Sequence, residues 1–321
     1  MDFYADIVSE LEMFFHSINS MINLEKLVPP IPNSLFGTDS PPWTKRRQMQ
    51  HRASFLIERV IAFRRRHIVP CKREVFVSNE IKCKLSCDEF LRFTPIVEEI
   101  ISDFRNGNDI NGRLSEQADN PETNDAMLWE WNLYHLHLGK GKKNANSKLY
   151  QRTGHLLIVY MPEDTLSVYL IDISEKHKNN NVVFSRKRYL EIIDNNWPEL
   201  LSEYEMHGIT PEHSLTDEER AALRSHHGNT FNHINGKMIG NPGIGITSAG
   251  SSVLHIMQAD YFMNIIDQLE KQCRELQKEY VPRQIPEYNN YKLKFDKDEW
   301  RFYVVEYTPR KSPTVVSTIP L

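Results

Sequence analysis

The sequence predicts an α+β protein, and three patterns predict it. Apolar residues recur at helical spacing through the first hundred positions, strand-like alternation governs the middle, and one long helical stripe precedes an alternating end. The expected organisation is a helical region with a basic helix at 1–105, a loop or linker at 106–125 and an α+β core at 126–205. A last region at 206–321 carries a His/Gly-rich loop, a long helix and a closing hairpin. No internal repeat is visible.

Each element has its own signal. The run Pro29-Pro30-Ile31-Pro32 and the pair Pro41-Pro42 read as a stiff irregular connector. A helix is expected from Lys45 to about His67, with Phe55, Leu56, Val60 and Phe63 turned inward. Phe93, Ile96, Val97, Ile100, Ile101 and Phe104 form the stripe of another. Ser86, with Glu89 three residues on, is expected to open it as a capping box. Polar turn formers then fill 105–125. Leu133 to Leu138 alternates, and 155–161 and 166–173 are strand candidates joined by the turn Pro162-Glu163-Asp164-Thr165. A helix follows through Tyr189, Leu190, Ile192 and Ile193, and a short one is capped by Thr216 with Glu219. The long helix, from about Ser252 to Glu279, is expected to bury Phe262, Ile265, Ile266, Leu269, Cys273 and Leu276. Residues 291–295 and 301–307 alternate as a closing hairpin.

Composition narrows the function classes. With 321 residues, 40% hydrophobic and 26% charged, the chain buries a real core, which excludes a disordered chain, a collagen and a disulfide miniprotein. No apolar run approaches the roughly 18–20 residues that span a bilayer, and the start Met1-Asp2-Phe3-Tyr4-Ala5-Asp6 lacks the pattern of a signal peptide. Four unevenly spaced cysteines suit a reducing compartment. The expectation is a cytoplasmic protein with no membrane partner. A net charge of −4 confines any polyanion site to a local patch.

The densest polar signal is Tyr134-His135-Leu136-His137-Leu138-Gly139-Lys140-Gly141-Lys142-Lys143. In a strand, His135 and His137 share one face while Leu136 and Leu138 take the other. Lys140, Lys142, Lys143, Lys148 and Arg152 follow with no acidic residue between 139 and 152. Imidazoles beside cations suit phosphodiester chemistry: the cations stabilise the phosphorane while a ring moves the proton. An edge strand with satisfied histidines and a solvated lysine loop is the plainer alternative.

The order strand, His-Leu-Gly-Lys turn, Tyr150-Gln151-Arg152-Thr153-Gly154, two strands and His177 resembles the central sheet of the RelE/HigB group of bacterial toxins, mRNA endonucleases that act free or on the ribosome. The resemblance spans about residues 129–197. It implies an antiparallel RelE-like sheet, no cofactor, Lys140 or Lys142 as the loop lysine, Arg152 as the strand-start arginine and His177 as the histidine after the last strand. His155 and Leu156 stand where the group carries a second arginine. The stretch 125–139 also resembles uncharacterised bacterial proteins of defence or mobile-element type.

Other signals are narrower. Ten Lys/Arg lie between Lys45 and Arg73 against one acidic residue, so Arg46, Arg47, Arg64, Arg65 and Arg66 are candidates for holding a nucleic-acid backbone. Arg46-x4-His51 resembles the short Arg/His motif of helical HEPN ribonucleases. His67, Cys71, Cys83 and Cys87 form a minority option for a structural zinc, with buried free thiols the plainer reading. His226, His227 and His233 invite comparison with His-Asn-His nucleases but read as a polar loop, with a metal site, and so a metal nuclease, as the minority option. Gly245-x4-Gly250-Ser251-Ser252 lacks a phosphate-loop lysine and reads as a tight loop before the long helix, with an anion at that helix start left open.

The resulting expectation is a metal-independent RNA endonuclease that arrests growth, as a toxin or anti-phage effector, with RNA and an inhibitor protein as partners. His135 or His137 is the expected base, His177 or the other strand histidine the acid, and Arg152 with Lys140 the phosphorane stabiliser. The rival is a non-catalytic module that holds nucleic acid or a protein partner.

Overall fold

The computed structural model describes residues 1–28, 44–162, 166–177, 180–209, 214–280, 290–307 and 312–321. The proline connector expected at 29–32 and 41–42, and the turn at 163–165, lie outside the described residues.

In chain order the elements begin with α1 (Phe3–Ile18), α2 (Leu24–Leu27) and α3 (Lys45–Arg65). Next come β1 (Glu74–Val77), α4 (Asn79–Leu85), α5 (Asp88–Leu91), α6 (Thr94–Asn106) and α7 (Ala126–Trp131). The strands β2 (Leu133–His137), β3 (Leu156–Tyr160) and β4 (Ser167–Ile173) lead into α8 (Arg188–Asn196), α9 (Glu199–Ser202) and α10 (Asp217–Ser225). The chain continues with β5 (Asn232–Ile234), β6 (Lys237–Ile239), α11 (Val253–Tyr280), β7 (Asn290–Asp296), β8 (Arg301–Tyr307) and β9 (Thr314–Pro320). The protein is therefore α+β, with N-terminal helices, a central sheet, and a C-terminal helix followed by a small sheet.

Two compact units divide the chain. One combines Met1–Arg64 with His255–Leu321, and the other is Arg65–Leu254. In the first, α1 caps itself with Asp2, whose carboxylate accepts from the Tyr4 and Ala5 N–H groups. Its apolar face (Phe3, Ile7, Leu11) joins one buried cluster with Phe262 and Ile266 of α11 and Phe302 and Val304 of β8. Phe262, Ile266 and Cys273 are buried as the spacing predicts, whereas Leu276 is exposed. The closing hairpin gains a third strand, giving the order β7-β8-β9.

The second unit carries a four-stranded sheet of order β1-β4-β3-β2. Strands β2, β3 and β4 pair antiparallel, as the resemblance implies, but β1 pairs parallel with β4, so the sheet is mixed rather than wholly antiparallel. Leu133, Leu156, Ile158, Tyr160 and Ile171 pack with Trp131 of α7 and Leu190 and Ile193 of α8. Burial of such a face is what holds a sheet against its helices. The expected capping box at Ser86 does not form. Ser86 is the C-cap of α4 in helical conformation and its hydroxyl donates to the Cys83 carbonyl, so α6 begins only at Thr94, with a proline in its first turn. Residues 111–113 and 116–119 of the expected linker form two 3₁₀ turns inside this unit.

Candidate functional site

Register sets the site. His135 of β2 lies opposite Ile158 and His137 opposite Leu156, so both imidazoles share a face with Leu133. At Gly139, two residues past the end of β2, a Cβ would lie 2.1 Å from the Gln151 carbonyl oxygen, so the glycine permits the close approach of the returning segment around Gln151.

Three imidazoles and a guanidinium gather here. The His137 and His177 ring centroids are 5.9 Å apart. Phe184 packs edge-on against His135 at 5.3 Å and His177 at 6.1 Å. Arg152 Nη1 donates to His137 Nε2. An arginine has no acceptor, so His137 must be the neutral tautomer with its proton on Nδ1. That nitrogen is buried without a hydrogen-bond partner. The residue is only 4% exposed, and burial first, then Arg152, His135 and His177, push its pKa down to about 3. His177 donates from Nδ1 to the Gly154 carbonyl at 2.6 Å, which leaves Nε2 to exchange a proton. His135 is half-buried, its Nδ1 3.9 Å from Asp125 Oδ2.

The cations around this cluster are partly engaged. Lys143 pairs with Glu116 at 2.8 Å and Arg152 approaches the same carboxylate at 3.7 Å. Those two cations hold the Glu116 carboxyl below the usual range. Lys142 donates to the Lys148 carbonyl and lies 4.0 Å from the Tyr150 ring centre. Lys140 is exposed; it lines a second cavity of about 360 Å³ with Arg152, Thr153 and Lys176 and makes no hydrogen bond to the imidazoles. His135 instead faces a cavity of about 400 Å³ with Asp125 and Phe184 in its wall. Sequence reasoning missed Asp125, Glu116 and Phe184. The only local signal was for Asp125, an aspartate just before an apolar helical run, and it does cap α7 by accepting from Leu128 N at 3.1 Å.

The basic helix is tied into the fold. Arg46 pairs with Glu270 at 2.9 Å and lies over Tyr4, and Arg64 donates to the Leu321 carbonyl. Arg65 donates to Asn132 Oδ1 at 2.8 Å. Arg66, 3% exposed, donates to the Ala118, Asn120 and Thr123 carbonyls and so cannot meet a nucleic-acid backbone. Arg47 remains exposed. The zinc option fails on geometry, because His67 pairs with Asp119 and no three His, Cys, Asp or Glu side chains among the described residues converge on one point. His226 and His227 contact the carbonyls of Ala222 and Ser248 as loop residues. His155, at the missing arginine, is a core residue bonded to the Ser174 carbonyl between Phe90 and Phe93. In the Gly-rich loop, a Cβ on Gly243 would lie 2.4 Å from the Trp129 carbonyl oxygen, so the glycine serves a close approach to α7.

No protein-family model, no curated protein and no solved structure matches this chain.

Proposed function

We propose that the protein is an endoribonuclease that cleaves RNA by attack of a 2′-hydroxyl on the adjacent phosphate. The observation that supports this most is the gathering of His135, His137, His177 and Arg152, with His135 in the wall of a cavity. His135 takes the 2′-hydroxyl proton as base. The oxygen forms a bond to phosphorus, giving a 2′,3′-cyclic phosphate. His177, protonated on Nε2, delivers its proton to the departing 5′-oxygen. Arg152 and Lys143 stabilise the phosphorane. His137 is a positioning residue: buried and neutral, it fixes the Arg152 guanidinium by accepting from it.

The test is digestion of RNA by the full chain, with products assayed for cyclic phosphate ends. His135→Ala and His177→Ala should each lower the rate at least ~100-fold, the scale of acid–base catalysis. Expression in bacteria should arrest growth, and both substitutions should relieve it. The second reading, a non-catalytic binder, is favoured by Glu116, which already neutralises Lys143 and Arg152. It predicts RNA or protein binding that survives both substitutions and no product from the wild type.

A further inference from the structure

The cavity in front of His135 is built unlike a phosphate site. Two arginines reach its wall, and both are spent within the fold. Arg66 donates to three carbonyls, and Arg224 donates to Glu130, to the Ser185 hydroxyl and to the Phe184 carbonyl. The charge the wall presents is the carboxylate of Asp125: Oδ1 accepts from Leu128 N, while Oδ2 lies 3.9 Å from His135 Nδ1. Phe184 supplies an aromatic surface beside it, and about 400 Å³ is room for one bicyclic ring. Neither Lys143 nor Arg152 lines it. Ser115 and Gln117 line the cavity, and Glu116 between them holds Lys143 and Arg152. The occupant that fits is a flat, uncharged, donor-bearing ring attached to an anion that stays outside.

We propose that this cavity binds one unstacked guanine of an RNA strand, with Asp125 as the group that reads it. Guanine presents two adjacent donors, N1–H and the 2-amino group, to a carboxylate. Adenine and cytosine set an acceptor nitrogen beside their amino group, and uracil flanks its single N–H with two carbonyls, so each turns an acceptor towards Asp125. The ribose then falls near His135, and the neighbouring phosphate lies on the side of Arg152, the guanidinium that His137 and Glu116 hold. This assignment rests on the ribonuclease reading for its strand, but base binding is measured without cleavage.

The experiment is calorimetric titration of the full chain with guanosine, GMP, AMP, CMP and UMP, and with short single-stranded RNAs that contain or lack one G. Guanosine and GMP should bind at least about tenfold tighter than the other nucleotides, the discrimination expected of a paired polar group. Asp125→Asn keeps the cap of α7, since both residues cap equally well, and should erase that preference. Ala221→Phe, which fills the cavity from α10, should abolish binding of every nucleotide without lowering the melting temperature. No binding, equal binding of the four nucleotides, or an unchanged preference in Asp125→Asn overturns the proposal. Binding of GMP but not of G-containing RNA overturns the strand as the source and leaves a free nucleotide. Guanine preference without any cleavage removes the ribonuclease reading alone; cleavage without base preference removes the pocket alone.

Discussion

His137 shows what a single residue contributes at this site. Its ring is held neutral in the fold, with a pKa pushed down to about 3 chiefly by burial and then by Arg152 and the two other imidazoles. In the unfolded chain the same ring titrates near ~6.5. Below that value the unfolded chain binds a proton that the folded chain refuses. Stability therefore falls as pH drops from about 6.5 towards 3, by up to ~1.4 kcal/mol per pH unit for this proton, and is untouched above that window. Urea unfolding of wild type and His137→Asn between pH 5 and 7 checks it: the variant should show the shallower dependence, and equal slopes would refute the assignment. The alternation of 133–138 made the shared face of His135 and His137 legible. It could not tell a wet face from one covered by a second layer, because the periodicity is the same for both. Leu133, Leu156 and Ile158 lie on that face beneath helices, so His137 is interior and only His135 and His177 keep access.

At the scale of elements, two identical patterns met different fates. Ser86…Glu89 and Thr216…Glu219 both read as capping boxes. Thr216 adopts the extended backbone a cap needs, and both reciprocal bonds form. Ser86 is helical, at φ −85° and ψ −7°, because α4 runs up to it, and the extended residue is Cys87. Thr216→Ala should thus cost about 1 kcal/mol in urea unfolding and Ser86→Ala no more than ~0.5 kcal/mol, since an exposed hydroxyl without a cap role is nearly neutral. The helix so capped carries Arg224, which donates through Nε and Nη2 to Glu130 of α7 at 2.9 and 2.8 Å and stacks 3.9 Å over Trp131. Both partners are buried. Removing only the carboxylate in Glu130→Ala strands a buried cation and should cost roughly 3–5 kcal/mol, whereas Glu130→Leu with Arg224→Met should restore much of the loss. A double-mutant cycle by thermal melting measures both. Neither this pair nor β1 was legible. Sequence distance hides a partner 94 positions away, and Glu74–Val77 is too short for alternation to show.

For the whole molecule, what escaped the sequence is which parts of the chain fold together. Composition and periodicity run along the chain, whereas the first unit is assembled from its two ends: Leu293 N donates to Asp6, Lys294 pairs with Glu10 at 2.7 Å, and Phe3 shares a cluster with Phe302. The other unit, Arg65–Leu254, is continuous, has its own apolar cluster and holds every residue of the proposed site. Continuity and a private core are the conditions for folding alone at this size. A fragment of residues 65–254 should therefore melt cooperatively and retain guanosine binding close to that of the full chain. A chain ending at residue 254 should contain that same folded unit, while its first 64 residues lose the strands and helix that cover Phe3, Ile7 and Leu11 and expose apolar surface to a dye such as ANS. Circular-dichroism melts and dye binding on the two fragments decide the matter: a fragment of 65–254 without a cooperative transition would mean that its cluster cannot sustain the site by itself.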